Sequence, residues 1–153
     1  MALLTASQIK TIVSIEAALD PSFFALNIDY TQTEIIKPIL TEALYNAYIV
    51  SPVAYPNLTP YINNALAYAC AFISYEKDLE RNISNQGVME NNTQYSKSAS
   101  ETSATRLLAK IKQREFDYCK ALGDYLIANV DDYPLFVFDE ICYSPNFRRF
   151  FPI

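Results

Sequence analysis

The stretch TPYINNALAYACAFISYEKDL, Thr59 to Leu79, decides the fold. Thr59 followed by Pro60 pairs a good N-cap with a residue suited to the first helical position, so a helix is predicted from Pro60 to about Leu79. Ile62, Leu66, Ala69 and Ile73 form one apolar stripe, and Tyr61, Tyr68 and Tyr75, seven apart, form another. A helix that is apolar on two faces is buried on two faces, which makes this the central helix of a helical domain. The tyrosine stripe reads as core or subunit interface, because Tyr is flat, rigid and amphipathic.

Upstream, TASQ (Thr5–Gln8) is a capping box with Leu4 and Ile9 as a hydrophobic staple, and a first helix follows. Asp20-Pro21 signals a turn after it. A second capping box, TQTE (Thr31–Glu34), stapled by Tyr30 and Ile35, opens the next helix. Ile35, Ile36, Ile39, Leu40, Ala43, Leu44, Ala47 and Tyr48 form its apolar face. Pro38 lies inside this run and predicts a kink or two abutting helices, because proline removes a ladder hydrogen bond and crowds the preceding turn. SPVAYPNLTP (Ser51–Pro60) reads as a loop.

Downstream, ERNISNQGVMENNTQYSKSASE (Glu80–Glu101) is polar and holds one of the chain's two glycines. Asn85-Gln86-Gly87, flanked by Ile83 and Val88, predicts a short β-hairpin in an insert over 81–98. The bland alternative is a surface loop. SASE (Ser98–Glu101) caps a last helix that runs to about Asn129. Leu107, Leu108, Ile111, Glu115, Cys119, Leu122 and Leu126 track one side of it, and Gly123 predicts close approach of a neighbouring helix. The tail, DDYPLFVFDEICYSPNFRRFFPI (Asp131–Ile153), is aromatic, proline-punctuated and weakly periodic. LFVF within it has the composition of one short strand.

The predicted architecture is mainly α: a four-helix domain over 1–130, the inserted loop or β-hairpin over 81–98, and an extended C-terminal arm over 131–153. A length of 153 residues and a half-apolar composition suit one domain with a real core. No signal peptide is read at the start, and the greasiest run is too short to span a bilayer. The triplets at Asn57, Asn82 and Asn91 read as chance rather than glycan acceptors. Cys70 and Cys119 read as small buried residues with reduced thiols, and the role of Cys142 stays open.

Chemistry is hard to find in this chain. It has no histidine, the usual neutral-pH base and zinc ligand, and two glycines cannot build a phosphate cradle. Asp78 with Glu80, Asp131 with Asp132, and Asp139 with Glu140 lack the spacing that aims two carboxylates from one helix face at an ion. The arginines are too scattered for a phosphate site, and a net charge of −5 argues against nucleic-acid binding. No catalytic residue, cofactor or metal is expected. The expected working residues are interface ones: Ile83, Val88, Phe136, Phe138, Phe147, Arg148, Arg149, Phe150 and Phe151. An insert and an apolar tail of this kind are built to be held by other chains.

The order of a short helix, IIKPILTEALYNAYI (Ile35–Ile49), a Tyr-rich helix, ISNQGV (Ile83–Val88) and a long helix ending at YLIANVDDYPLF (Tyr125–Phe136) resembles the small head–tail connector, or head-completion, proteins of tailed bacteriophages. It is most similar to those of phages infecting Bacteroidetes, including the crAss-like group. The resemblance implies a dodecameric ring in the virion neck, assembled in the host cytoplasm. Its partners would be further copies of itself, the portal protein and other neck and tail proteins, with no membrane. DNA would pass through the lumen without sequence-specific binding, and an acidic lining suits such a conduit. Thr41 stands where the resemblance expects glycine, which predicts that the helix continues there rather than turning. The rival class is a monomeric adaptor or inhibitor that binds a single protein. Deleting the last twenty residues is expected to leave a folded helical domain that no longer assembles.

Overall fold

The computed structural model describes residues 3–14, 21–86 and 101–137. The fold is mainly α, and among the described residues there is no strand. Helix α1 spans Ala6–Val13. Its capping box forms: the Gln8 N–H donates to Thr5 Oγ1 at 3.3 Å and the Thr5 N–H donates to Gln8 Oε1 at 2.8 Å. Leu4 and Ile9, the staple, are both buried. Two short helices follow, α2 (Ser22–Ala25) and α3 (Ile28–Thr31).

The second predicted capping box does not form. Helical backbone is already present from Ile28, and the Thr31 hydroxyl donates back to the Asn27 carbonyl at 2.6 Å instead of capping a new helix. Gln32, inside the same tetrad, is buried and ties two elements together. Its Oε1 accepts from the Leu3 N–H at 2.8 Å and its Nε2 donates to the Tyr45 hydroxyl at 2.7 Å. A π turn covers Gln32–Ile36, with the Lys37 N–H bonded to the Gln32 carbonyl, and α4 covers Lys37–Leu40. The wider turn sits just ahead of Pro38, whose ring would crowd the carbonyl four residues back in an ordinary helix.

The chain breaks three residues after the proline. Thr41 has φ 67° and ψ 157°, and α5 (Glu42–Val50) starts afresh beyond it. The expectation that threonine lets the helix run on here is therefore corrected: the turn forms, and a β-branched residue occupies backbone space that glycine favours.

Helix α6 spans Thr59–Gln86 and α7 spans Glu101–Ala128, each 28 residues or about 42 Å long. Thr59 is the first helical residue rather than a cap; its hydroxyl donates to the Tyr55 carbonyl at 3.0 Å and accepts from the Tyr48 hydroxyl at 3.1 Å. Every residue from Ala65 to Ser74 is buried, because α6 packs against α7 and also against α1, α2 and α3. It is the central helix its two apolar faces predict. Gly123 is buried within α7. Because α6 continues to Gln86, residues 81–86 are helical rather than the first strand of a hairpin. The rest of the predicted insert lies outside the described residues.

Residues 131–137, expected to begin the arm, lie against the domain instead. After a 3-10 turn at Val130–Asp132, Tyr133 and Phe136 are buried in the core. The Phe136 N–H donates to the Tyr133 carbonyl at 2.8 Å, so Pro134 and Leu135 form a turn where the expected strand would begin. Phe138 and everything after it lie outside the described residues.

Candidate functional site

The tyrosine stripe of α6 meets a matching stripe on α7. Tyr61 stacks on Tyr125 with ring centroids 4.3 Å apart, and Tyr68 stacks on Tyr118 at 4.8 Å. Both pairs lie within about 20° of parallel. Seven-residue spacing on each helix keeps the rings on one seam. Arg114 closes its flank: Nη1 donates to the Tyr68 hydroxyl at 3.0 Å, and the guanidinium lies 5.6 Å from that ring's centre. Tyr75 leaves the pattern and packs edge-on against Phe23 at 5.0 Å.

The seam ends in a cluster that gathers three distant parts of the chain. Tyr125 and Tyr133 share a hydroxyl–hydroxyl bond at 3.0 Å, Tyr133 stacks on Tyr55 at 6.3 Å, and Tyr55 lies 6.1 Å from Tyr48. Burial, then the bond to Tyr125, pushes the Tyr133 phenol well above its ordinary range. It stays a neutral hydroxyl at any physiological pH. Nearby, Thr41 Oγ1 donates to the Leu135 carbonyl at 3.0 Å.

Among the described residues, metal-binding side chains do not cluster. Glu115, on the apolar side of α7 where its spacing placed it, is fully buried. A single carboxyl cannot hold a cation that needs several oxygens, and no group of three metal-binding side chains occurs among the described residues. Asp131 and Asp132 are exposed to solvent, as the bland reading of that pair expects. Cys70 and Cys119 are buried and in no disulfide among the described residues, matching expectation. Burial pushes the Cys70 thiol up to about 11, and its Sγ donates to the Phe24 carbonyl at 3.6 Å. A groove of 370 Å³ between α1 and α6 is lined by Leu4, Ser7, Gln8, Thr11, Ile12 and Asn63. None of these titrates, so the groove offers no acid–base chemistry.

Of the predicted interface residues, Phe136 is 3% exposed and belongs to the chain's own core, where another subunit cannot reach it. Ile83 falls on the last turns of α6. Val88, Phe138, Phe147, Arg148, Arg149, Phe150 and Phe151 lie outside the described residues, so the structure brings none of the predicted set together. It shows other exposed apolar side chains instead. Leu26 on the α2–α3 corner is 91% exposed, and Val50 and Val53 beside the aromatic cluster are 85% and 87% exposed. Val130, Leu135 and Val137, from the segment that follows α7, are about two-fifths exposed. The sequence signal was present: Ser51-Pro52 marks where the chain leaves α5, so Val50 on its last turn and Val53 in the 3-10 turn at Pro52–Ala54 fall off its apolar face.

No curated protein and no solved structure matches the chain. Residues 36–146, from the π turn through both long helices and into the C-terminal tail, match a family described as of unknown function, DUF6712. With well over half its length inside that match, the chain belongs to the DUF6712 family.

Proposed function

We propose that the protein is a structural subunit of a ring between the portal and tail of a bacteriophage, acting through contacts with copies of itself and with the portal. It has no catalytic role in this reading, and its place is the virion neck. One observation carries the mechanical part of the reading: α7 separates two unusual segments by its own length. The polar link 87–100 enters at Glu101, and the aromatic tail leaves beyond Val137, after the turn that follows Ala128. A ring whose subunits meet head to tail needs two different surfaces on each subunit, set apart on a rigid body. A rod about 42 Å long supplies that separation.

The link also exceeds what connection requires. Packed antiparallel helices lie about 10 Å apart, a gap that a few residues close. Fourteen residues, 87–100, occupy that position. The resemblance to head–tail connectors supplies the identity of the partners, and the acidic net charge of −5 suits a passage for DNA.

The test is mass in solution. Full-length protein, a chain ending at Val137, and a chain with 87–100 replaced by a short Gly/Ser link are compared by native mass spectrometry, alone and with a portal. The full chain should form a ring or dock, and each variant should stay folded yet fail to assemble. A full-length monomer indifferent to the portal would favour the rival, an adaptor or inhibitor of a single protein.

A further inference from the structure

Residues 35–48 carry a helical apolar pattern without interruption: Ile35, Ile39, Ala43 and Ala47 on one row, Ile36, Leu40, Leu44 and Tyr48 on the next. The structure nevertheless breaks the helix at Thr41. Nothing local demands the break. The proline lies three residues earlier inside α4, and no glycine is present. Threonine is among the residues least suited to φ 67° with ψ 157°, because its branched Cβ collides with the backbone there. Nor does Thr41 cap α5: its side chain accepts no bond from the first turn. The hydroxyl is spent on Leu135, 94 residues away, beside buried Phe136.

A second contact exists only in the bent form. Lys37 Nζ lies 2.8 Å from Glu42 Oε1 across the break. Residues five apart on an unbroken helix point to different sides and do not meet.

We propose that Thr41 is a hinge held bent by residues 133–137, and that withdrawal of that segment lets α4 and α5 join into one helix ending at Val50. The inference rests on described residues alone and stands whether or not the protein forms a ring. In the bent state the first backbone bond of α5 runs from the Tyr45 N–H to the Thr41 carbonyl. The N–H groups of Glu42, Ala43 and Leu44 therefore have no acceptor within their own helix. Joining the helices gives them the carbonyls of Pro38, Ile39 and Leu40 and releases the strain at Thr41. Against this stand the Thr41–Leu135 bond and the burial of Tyr133 and Phe136. A pull on the chain beyond Val137 thereby reorients α5.

Amide hydrogen exchange on the full-length chain tests this, comparing the parent with T41A, F136A and T41G. T41A removes the hydroxyl and favours helix; F136A loosens the segment; T41G keeps the bend and removes its strain. Amides of Glu42, Ala43 and Leu44 should exchange about tenfold more slowly in T41A and F136A, although both changes weaken packing, and no more slowly in T41G. A purely structural role for the segment would speed exchange there instead. Should F136A fail to fold, T41A decides, since it removes only a hydroxyl and a methyl. Unchanged or faster exchange at 42–44 in T41A overturns the hinge.

Discussion

Replacing Tyr68 with alanine probes what holds α6 to α7. Tyr68 is 5% exposed, and its ring lies 4.8 Å from Tyr118, 19° from parallel. Truncating a buried aromatic costs about 3–5 kcal/mol, through lost transfer energy and the cavity left behind. The Tyr68 hydroxyl faces Arg114, which is exposed, so water can enter that side of the cavity and the loss should sit near the lower bound, about 3 kcal/mol. At about 2–4 °C per kcal/mol for a domain of this size, Y68A should melt roughly 6–12 °C below the parent. Stacking should account for about 1 kcal/mol of this, beyond area burial. That share appears as the coupling in a cycle of Y68A, Y118A and the double variant, measured by urea denaturation followed by circular dichroism. Y68F keeps the ring and loses a bond that water readily replaces, so it should stay close to the parent. Strictly additive single losses, or Y68F as damaging as Y68A, would refute the reading that ring stacking secures the seam.

The Cys70 thiol, raised by burial from 9.0 to about 11, should resist iodoacetamide at pH 8 in the native protein and react on unfolding. The same shift sets a pH dependence. The folded state keeps the proton longer, so the contribution is complete below pH 9.0 and is lost as pH rises toward about 11. C70A should flatten that alkaline decline in a pH series of thermal melts. The Glu42 carboxyl is held below its ordinary value by the hydrogen bond and charge of Lys37. In K37M it should titrate higher by NMR, with little change in melting temperature, because the pair is exposed. Truncation should separate the two parts of the tail. A chain ending at Val137 keeps Phe136 and should melt like the parent, whereas one ending at Tyr133 loses it and should fall by about 3 kcal/mol.

Legibility in the sequence followed the range of the interactions. The Thr5–Gln8 box was readable because both partners lie within four residues. The double-faced burial of α6 was readable because periodicity records it. Thr31 misled for a definite reason: a threonine hydroxyl can cap forward or donate to the carbonyl four residues back, and the helix begun at Ile28 selects the second. The break at Thr41 was hidden because its partner, Leu135, is 94 residues away. The Asn-Gln-Gly signal suggested a hairpin, yet α6 persists through Gln86, because a helix already packed along its length overrides a short turn signal. Interface residues were the least legible. An aromatic run such as that around Phe136 looks the same in sequence whether it fills its own core or awaits another's.

The two ring stacks also fix a height scale between the long helices. Tyr61 opposite Tyr125 and Tyr68 opposite Tyr118 define one antiparallel register, and extended along both helices it sets Asn85 level with Glu101. As far as the described residues run, the two rods are therefore flush at this end, like tines of a fork cut to equal length. Whatever joins flush ends can grow or shrink without sliding one tine along the other. The position between Gln86 and Glu101 is thus the natural place to splice in a tag, a fluorophore or a foreign epitope while every stacked pair keeps its mate.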